Sequence, residues 1–493
     1  MIEKPPTNQN EEPSENPSEI INNIGLINKN MEVKNNMENS NSKNEASIKS
    51  RAYVLENIKS PELLGILEQE LVKRREFDLS GLSTKEQFEL IKGRSLNIIP
   101  ENDLLERLEK SKQEEKPLII KFGIDPTGSE IHIGHAVPMV VVNRLQRMGH
   151  KVVFVIGDFT AKIGDPSGRS SERPTLTDEK IAENLSSYKE QIKPFFDLSK
   201  AEILHNGDWL NNIKLPDFVK LLSKINVSDS LQREDFRSRL SSGQGLTQAE
   251  LIYSVVMAID SLHINNDIEV GGVDQLLNLQ MCRKVMEVEG HKSECIVTTD
   301  LLPGITGGGQ KMSKSLGNYV GLSHPAKEIY GRIMSIPDSL LEVYFKAVSE
   351  IDDEEWNILD TKIKNHELNP MLLKKMLARY MVTVLHTKEA SKEAEQDFTL
   401  RFSKKNYAEL KDVISYEQVD ANLSVLDFLS SKELFKSRAD IRRVASGGGI
   451  KIVDITDGTI TKIENPLESF GTITSMKEFI LKIGKKVLSI KLK

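Results

Sequence analysis

The residues best suited to chemistry fall in two short runs far apart in the chain. One opens Lys121-Phe122-Gly123-Ile124-Asp125-Pro126-Thr127-Gly128 and closes His132-Ile133-Gly134-His135; the other is Lys311-Met312-Ser313-Lys314-Ser315. In the first run, the apolar stretch Leu118 to Ile120 reads as a short buried strand, and Pro126 and Gly128 break it into a turn. A helix then opens near Gly134, carries Val137, Val141, Leu145 and Met148 on its apolar side, and stops at Gly149. His132 and His135 therefore stand at a helix start, where unpaired N–H groups and the positive end of the helix dipole suit phosphate. Gly134 leaves space for a ligand to lie against the backbone. Alone, a His-x-x-His or a Lys-x-x-Lys pair is an ordinary surface pattern. Together they offer two ring donors and two mobile cations, a set fitted to charge developing on phosphoryl oxygens. Gly307-Gly308-Gly309 supplies slack for the lysine run to move, and the stretch is no P-loop, because Gln310 stands where that motif needs lysine.

The elements that must hold these residues read as an α/β domain over 116–322. After the first strand come a strand at Lys151–Ile156, a helix from Ile181 to about Phe195, a strand near Glu202–Leu204, and Glu269-Val270 leading into the Gly271-Gly272 turn. A helix from about Asp274 to Val288 and a strand at Glu294–Val297 follow. Alternating strands and helices predict a Rossmann-like parallel sheet covered on both faces, with ligands beyond the carboxyl ends of its strands. The loops Gly123–Gly128, Gly157–Arg169, Asn206–Trp209 and Gly271–Gln275 lie at those ends and hold most of the unusual polar residues. A dinucleotide G-x-G-x-x-G pattern is absent after the first strand. Residues 1–50 are rich in Asn, Glu and Ser and read as a disordered tail. Residues 51–115 read as an N-terminal helical segment, with Leu63, Leu64, Leu67 and Leu71, then Leu104, Leu105 and Leu108, at helical spacing and Pro100 between two helices. A helical domain over 323–420, with Leu372, Leu373, Met376, Leu377, Tyr380 and Met381 in one apolar stripe, precedes a small α+β unit over 421–493.

The chain has 493 residues and a net charge of -7, so any partner as acidic as a nucleic acid must meet a local basic patch. Cys282 and Cys295 are its only cysteines, which excludes a disulfide framework and a cysteine-rich zinc site. No apolar run is long enough to span a bilayer, and the Glu-rich start has neither a signal core nor a transit-peptide composition, so a cytoplasmic setting is expected, with no membrane partner and no metal held by the protein.

Three further pieces of chain suggest an amino-acid pocket. Asp165, in the run Gly157-Asp158-Phe159-Thr160-Ala161-Lys162-Ile163-Gly164-Asp165-Pro166-Ser167-Gly168, is either a turn former or a carboxylate for a substrate ammonium. Tyr253 and Asp260 lie two turns apart on one helix face, and an acid among Ile252, Val255, Val256 and Ile259 needs a partner, which a substrate hydroxyl would supply. Gly271-Gly272-Val273-Asp274-Gln275 opens another helix, where Asp274 could hydrogen-bond a ribose.

The spelling His132-Ile133-Gly134-His135, followed far downstream by Lys311-Met312-Ser313-Lys314-Ser315, resembles class I aminoacyl-tRNA synthetases. The Gly157–Ser170 run, the Tyr253/Asp260 helix and the Gly271–Gln275 turn are similar to those of bacterial tyrosyl-tRNA synthetases, and the likeness runs from about Gly93 to the C-terminus. The resemblance implies activation of L-tyrosine with ATP to tyrosyl-adenylate and diphosphate, then transfer to the 3′ end of tRNA(Tyr). It implies His132, His135, Lys311 and Lys314 as catalytic residues, and Gly123, Asp125, Gly134, Gly271, Asp274, Ser313 and Ser315 as ATP-binding. It implies Lys121, Asp165, Tyr253, Asp260 and Gln275 as tyrosine-binding, Mg²⁺ carried in by ATP, no tightly bound cofactor, and a homodimer. Lys121, where a tyrosine is common, is similar to the branch of the family that carries this substitution. The chain departs from the family pattern at three places: Met257 stands for a glutamine, Ile259 for a tyrosine and Val273 for a small hydroxyl residue. A pocket with fewer polar contacts discriminates differently, which leaves open a paralogue that activates a tyrosine analogue or feeds another acceptor, and a non-catalytic RNA-binding relative.

At the other end of the chain, Lys436-Ser437-Arg438-Ala439-Asp440-Ile441-Arg442-Arg443 precedes a glycine turn and a strand containing Lys451. A basic helix face beside a strand is a backbone-binding surface for RNA or a solvated face. The stretch resembles the S4 RNA-binding fold, which implies Lys436, Arg438, Arg442, Arg443 and Lys451 as RNA contacts.

Overall fold

The computed structural model of the chain describes residues 54, 55, 57, 58, 61–167, 176–400, 417–432, 434, 435, 437–456, 459–484 and 486–493. The tail expected over 1–50, the end of the run at Gly168–Ser170, and Lys436 lie outside the described residues. The chain divides into two compact units, Met1–Leu67 with Asp353–Asn369, and Glu68–Asp352 with Pro370–Lys493. The first holds the helix Asp353–Lys364, with Trp356 and Leu359 buried.

The second unit contains two sheets. Six strands, β1 (Asn97–Ile99), β2 (Ile119–Ile124), β3 (Lys151–Ile156), β4 (Ala201–His205), β5 (Ile268–Gly272) and β6 (Cys295–Thr299), run in the order β1-β6-β5-β2-β3-β4. All neighbours from β6 to β4 are parallel. The chain steps outward from β2 to β4 and then returns to the other side of β2 as β5, so the order reverses between β2 and β5. A crevice opens beyond the carboxyl ends at such a point. The central strands are buried on both faces, as their unbroken apolar runs require; Val152 to Ile156 and Ile296 to Val297 are examples.

β1 departs from the expectation of two helices meeting at Pro100. Asn97-Ile98-Ile99 pairs antiparallel with Thr298, Val297 and Ile296 and closes the sheet's edge. Three residues are too few for any period to register, and only the distant β6 makes them a strand. The helix Glu101–Gln113 then starts after Pro100.

Helix α1 (Ile133–Arg147) leaves β2 through the Pro126/Gly128 turn, buries Val137, Val141 and Leu145, and ends ahead of Gly149, whose φ of 92° suits glycine. Helix α2 (Gln248–Ile264) is opened by a reciprocal cap between Thr247 and Glu250. The helix expected from Asp274 is a single 3₁₀ turn, Val273–Gln275, followed by helix α3 (Leu276–Val288). Within the loop expected over Gly157–Arg169, Thr160–Ile163 forms one helical turn.

Helices Ala326–Met334, Leu341–Val348, Pro370–Leu385 and Lys388–Phe398 follow the first sheet, and Leu373, Met376, Leu377, Tyr380 and Met381 of the expected stripe are buried. The second sheet has the order β7-β11-β10-β8-β9, with β7 (Glu417–Val419), β8 (Ile450–Asp454), β9 (Ile460–Lys462), β10 (Glu478–Ile483) and β11 (Lys486–Leu492). β7 falls just inside the range expected to be helical, because its parallel pairing with β11 recruits it. Helix α4 (Arg438–Ser446) and the helix Val425–Ser431 cover this sheet through Leu426, Leu429 and Ile441, and Phe470 of the turn Phe470–Ile473 joins the same core. No helix among the described residues is long and apolar enough to cross a membrane.

Candidate active site

A cavity of about 670 Å³ lies beyond the carboxyl ends of β2 and β5. It brings together every residue expected for ATP, tyrosine and catalysis: Lys121, Gly123, Asp125, His132, Gly134, His135, Asp165, Tyr253, Asp260, Gly271, Asp274, Gln275, Lys311, Ser313, Lys314 and Ser315. Met257 also lines it.

One end is built from the two signature runs. The His132 and His135 rings lie with centroids 3.9 Å apart at the start of α1. His135 Nδ1 is 3.3 Å from both the amide nitrogen and the carbonyl oxygen of His132, which anchors that ring edge to the backbone. Burial, then the neighbouring His135, Lys314 and Lys311, pushes His132 down to about 2; burial and Lys314 push His135 down to about 4. Both rings are thus neutral at physiological pH, able to hydrogen-bond phosphate without carrying charge. His132 Nδ1 is buried without a protein partner.

The lysine run is anchored at its base. Met312 is buried and its N–H donates to Leu302 O at 2.9 Å. Asn318, also buried, accepts from the Ser313 N–H at 2.8 Å and donates to Lys311 O at 3.3 Å. Gly307, Gly308 and Gly309 all have positive φ, 75°, 78° and 74°, a sequence of left-handed residues that side chains other than glycine resist. Lys311 Nζ lies 3.6 Å from Asp274 Oδ2, whose carboxyl is raised by burial despite that lysine.

The other end is a closed polar network. Tyr253 Oη donates to Asp125 Oδ2 at 2.8 Å, and Thr160 Oγ1 donates to Asp125 Oδ1 at 2.7 Å. Asp165 accepts the Ser167 N–H at 3.0 Å, as a turn former does, and it also accepts Gln275 Nε2 at 2.7 Å and Asn278 Nδ2 at 3.3 Å at the cavity wall. Asp260 finds protein partners, in addition to any substrate hydroxyl: Trp209 Nε1 at 2.9 Å and Asn206 Nδ2 at 3.2 Å. Burial still lifts its carboxyl to about 6, against the pull of Lys121, Asn206 and Trp209. Lys121, 1% exposed, pairs with Glu269 at 2.9 Å and donates to Ser261 Oγ at 2.9 Å. Burial opposes its charge, and the carboxylates around it, Glu269 foremost, outweigh that and hold Lys121 above its ordinary value.

Sequence reasoning missed Glu269, Ser261, Thr160, Asn278 and the partners of Asp260. Asn206 and Trp209 had a signal, being in a loop at a strand's carboxyl end. Glu269 and Ser261 had none, since an acid opening a strand and a serine on a helix read as surface until Lys121 is placed beside them.

In the second sheet's unit, Arg438, Arg442 and Arg443 are exposed on α4, and Lys451 is half-buried on β8. Arg438 pairs with Asp427 at 2.6 Å and Arg443 with Asp440 at 2.8 Å.

A neutral imidazole pair at a helix start, a glycine-hinged lysine loop facing it and a buried acid at the far end are what a carboxylate-activating, ATP-using site requires. The family described as tRNA synthetases class I (W and Y) matches residues 112–403, and the chain belongs to it. Within that family the chain is similar to bacterial tyrosine-tRNA ligases. It is 37% identical to that of Carboxydothermus hydrogenoformans over 408 residues, 82% of this chain and 96% of the relative. It is 39% identical to that of Francisella tularensis over 370 residues, 75% of this chain and 91% of the relative. Solved structures share the fold: a C-terminally truncated Aspergillus nidulans mitochondrial tyrosyl-tRNA synthetase (TM-score 0.54, 20% identity, 68% of this chain and 99% of that one) and an Archaeoglobus fulgidus tyrosyl-tRNA synthetase complexed with L-tyrosine (TM-score 0.51, 22% identity, 63% and 99%).

Proposed function

We propose that this crevice joins L-tyrosine to ATP, releasing diphosphate and leaving tyrosyl-adenylate, and that the protein then transfers the tyrosyl group to the 3′ end of tRNA(Tyr). The observation that carries the reading is the meeting, in one cavity, of neutral His132 and His135 with Lys311 and Lys314 at one end and of Lys121 and Asp260 at the other. The tyrosine carboxylate attacks the α-phosphorus of ATP as the bond to diphosphate breaks, with no covalent enzyme intermediate. His132 and His135 hydrogen-bond the phosphoryl oxygens, and Lys311 and Lys314 neutralise the departing diphosphate. Each such fixed donor is worth roughly 3–4 kcal/mol in the transition state. ATP enters as its Mg²⁺ complex, so the ion is part of the substrate. Asp165, Tyr253 and Gln275 receive the substrate ammonium, Asp260 and Lys121 the phenol, and Asp274 the ribose. The basic face of α4 with Lys451 contacts tRNA backbone, which makes binding fall as salt rises.

A homodimer fits the apolar side chains left exposed in the stretch of chain between β4 and β5: Leu215, Val219, Val227 and Leu240. Sedimentation of Val219→Asp should show loss of the dimer. The cytoplasm, where ATP and tRNA meet, suits two cysteines that are free thiols.

The test is amino-acid-dependent exchange of pyrophosphate into ATP across the standard amino acids, followed by charging of total tRNA. Exchange with tyrosine and charging are expected. Met257 in the cavity favours one second reading, a tyrosine analogue or another acceptor, and exchange without charging would point there. Absence of exchange with every amino acid sinks the proposal.

A further inference from the structure

Two acids in the cavity, Glu130 and Asp300, have no part in the roles above, and Glu130 alone stands beside the histidine pair in the chain. Glu130 lines the cavity two residues before His132. A free carboxylate there would repel a polyphosphate, yet both of its oxygens are occupied. Tyr319 Oη donates to Oε2 at 2.7 Å, while His324 Nε2 at 3.1 Å and Ser323 Oγ at 3.4 Å reach Oε1. His324 Nδ1 accepts the Gly321 N–H at 3.1 Å, which puts the ring proton on Nε2, facing Glu130. All three donors follow directly on the lysine run.

The surroundings make the contact a fixed one. Ile133 N–H donates to Val320 O at 2.9 Å and Leu322 N–H to Ile131 O at 2.8 Å, so the backbone carrying His132 is zipped to the segment leaving the lysine run. Gly321 sits opposite His132 in this pairing, and a Cβ there would come within 2.4 Å of Glu130 Oε1 and 2.8 Å of the His324 ring. Tyr319 is braced by Arg332, whose guanidinium lies 5.5 Å from the ring centroid and donates to Tyr319 O at 2.9 Å. His386 Nε2 lies 2.9 Å from His324 O. The backbone carbonyl of Glu130 accepts Lys314 Nζ at 2.9 Å. A single residue thus faces the histidine pair through its chain position, the segment beyond the lysine run through its carboxylate, and Lys314 through its carbonyl.

We propose that Glu130 is a positioning residue: by gathering Tyr319, Ser323 and His324 it fixes the spacing between the histidine pair and the lysine run, so that both reach the same phosphoryl group. It touches no reacting atom. The inference rests on the adenylating reading of the crevice. Misplacing a catalytic group by about 1 Å can cost on the order of 10²-fold in rate.

Glu130→Ala and the isosteric Glu130→Gln are the variants, with Gly321→Ala as an independent way to wedge the same contact apart. Three quantities are read: kcat and KM(ATP) of tyrosine-dependent pyrophosphate exchange, the dissociation constant for tyrosine, and amide hydrogen exchange across residues 311–317. Glu130→Ala should lower kcat by about 10–100-fold with tyrosine affinity unchanged. Glu130→Gln keeps one acceptor oxygen and should fall between Glu130→Ala and the wild type. All three variants should speed amide exchange in 311–317, a readout that needs no activity. If Glu130→Ala does not fold, Glu130→Gln and Gly321→Ala carry the test. Wild-type rates and wild-type amide exchange in the variants overturn the proposal while leaving the crevice's activity standing. A wild-type protein without exchange activity overturns the adenylating reading, and the positioning role with it.

Discussion

The two ends of the crevice are built by opposite means. The end assigned to phosphate is built around a loop entered through three left-handed glycines, with a lysine half exposed at its tip, and imidazoles kept neutral by burial. The end assigned to the amino acid is made of chain that cannot move: strands buried on both faces, a Lys121–Glu269 pair in which both partners are almost wholly enclosed, and an acid held from three sides by Asn206, Trp209 and the field of Lys121. The contrast follows from what each end handles. In the proposed reaction, charge arrives, shifts and leaves as diphosphate at the first, so its cations have to follow it. A side chain is compared with near-identical ones at the second, so its donors and acceptors must be placed before the substrate comes.

Substitutions can break this contrast, and the largest effect belongs to the rigid end. Lys121→Met leaves the buried Glu269 carboxylate without its counter-charge and should cost about 3–5 kcal/mol of stability by urea unfolding. The double variant Lys121→Met with Glu269→Leu should regain most of it. Equal stability of Lys121→Met and Lys311→Ala would erase the distinction between the ends.

At the phosphate end the expected effect is on rate. Lys314→Ala should slow pyrophosphate exchange by about 10²–10³-fold, with tyrosine affinity and melting temperature kept. A matching loss of tyrosine affinity would mean that the two ends are not separable.

Selectivity comes next. Asp260→Asn removes a charged acceptor, an interaction worth about 1.5–3 kcal/mol, so preference for tyrosine over phenylalanine should drop about 10–100-fold. Competition in the exchange assay reads this ratio, and an unchanged ratio moves the phenol elsewhere. The same residue sets a pH dependence. Its carboxyl is raised to about 6 in the folded protein, so KM for tyrosine should rise as pH falls through 6 and the carboxylate is lost. Because the folded state binds this proton more tightly than the unfolded chain, Asp260 itself weakens stability as pH rises from about 4 to 6. The histidines act in the other sense. His132, His135 and His150 are held neutral by burial, with values pushed down to about 2, 4 and 4, so their contribution is complete above about 6.5 and is lost as pH falls below it. Three groups outweigh one, and net acid destabilisation below about 6.5 is expected in thermal melts.

The smallest effect lies far from both ends. Arg442→Ala should weaken tRNA binding a few-fold and lower the salt slope by about one, with pyrophosphate exchange untouched. A change in exchange would tie α4 to the crevice directly.

Much of the phosphate end is legible without coordinates, because its signals are local. A turn announced by Pro126 and Gly128, a helix whose apolar side begins at Val137, and glycines ahead of Lys311 each lie within a few residues of what they position. The rigid end is legible only in outline. Asp260 stands out as an acid in an apolar helix, but its partners come from the loop after β4, and the counter-charge of Lys121 comes from β5. β1 escaped notice for the same reason, since its hydrogen bonds are all to β6.

What the sequence determined by itself, then, is the order of the central strands and the helices beside them, the breaks between them, and the two runs that carry histidine and lysine. Periodicity and turn chemistry act between near neighbours, and near neighbours are what a sequence displays. Only the tertiary structure decided which buried charges neutralise one another and that Glu130 meets Tyr319, Ser323 and His324. Such pairings join residues more than a hundred positions apart, and nothing in the local chain specifies them; they are selected because a charge enclosed without a partner costs more than the fold can spare.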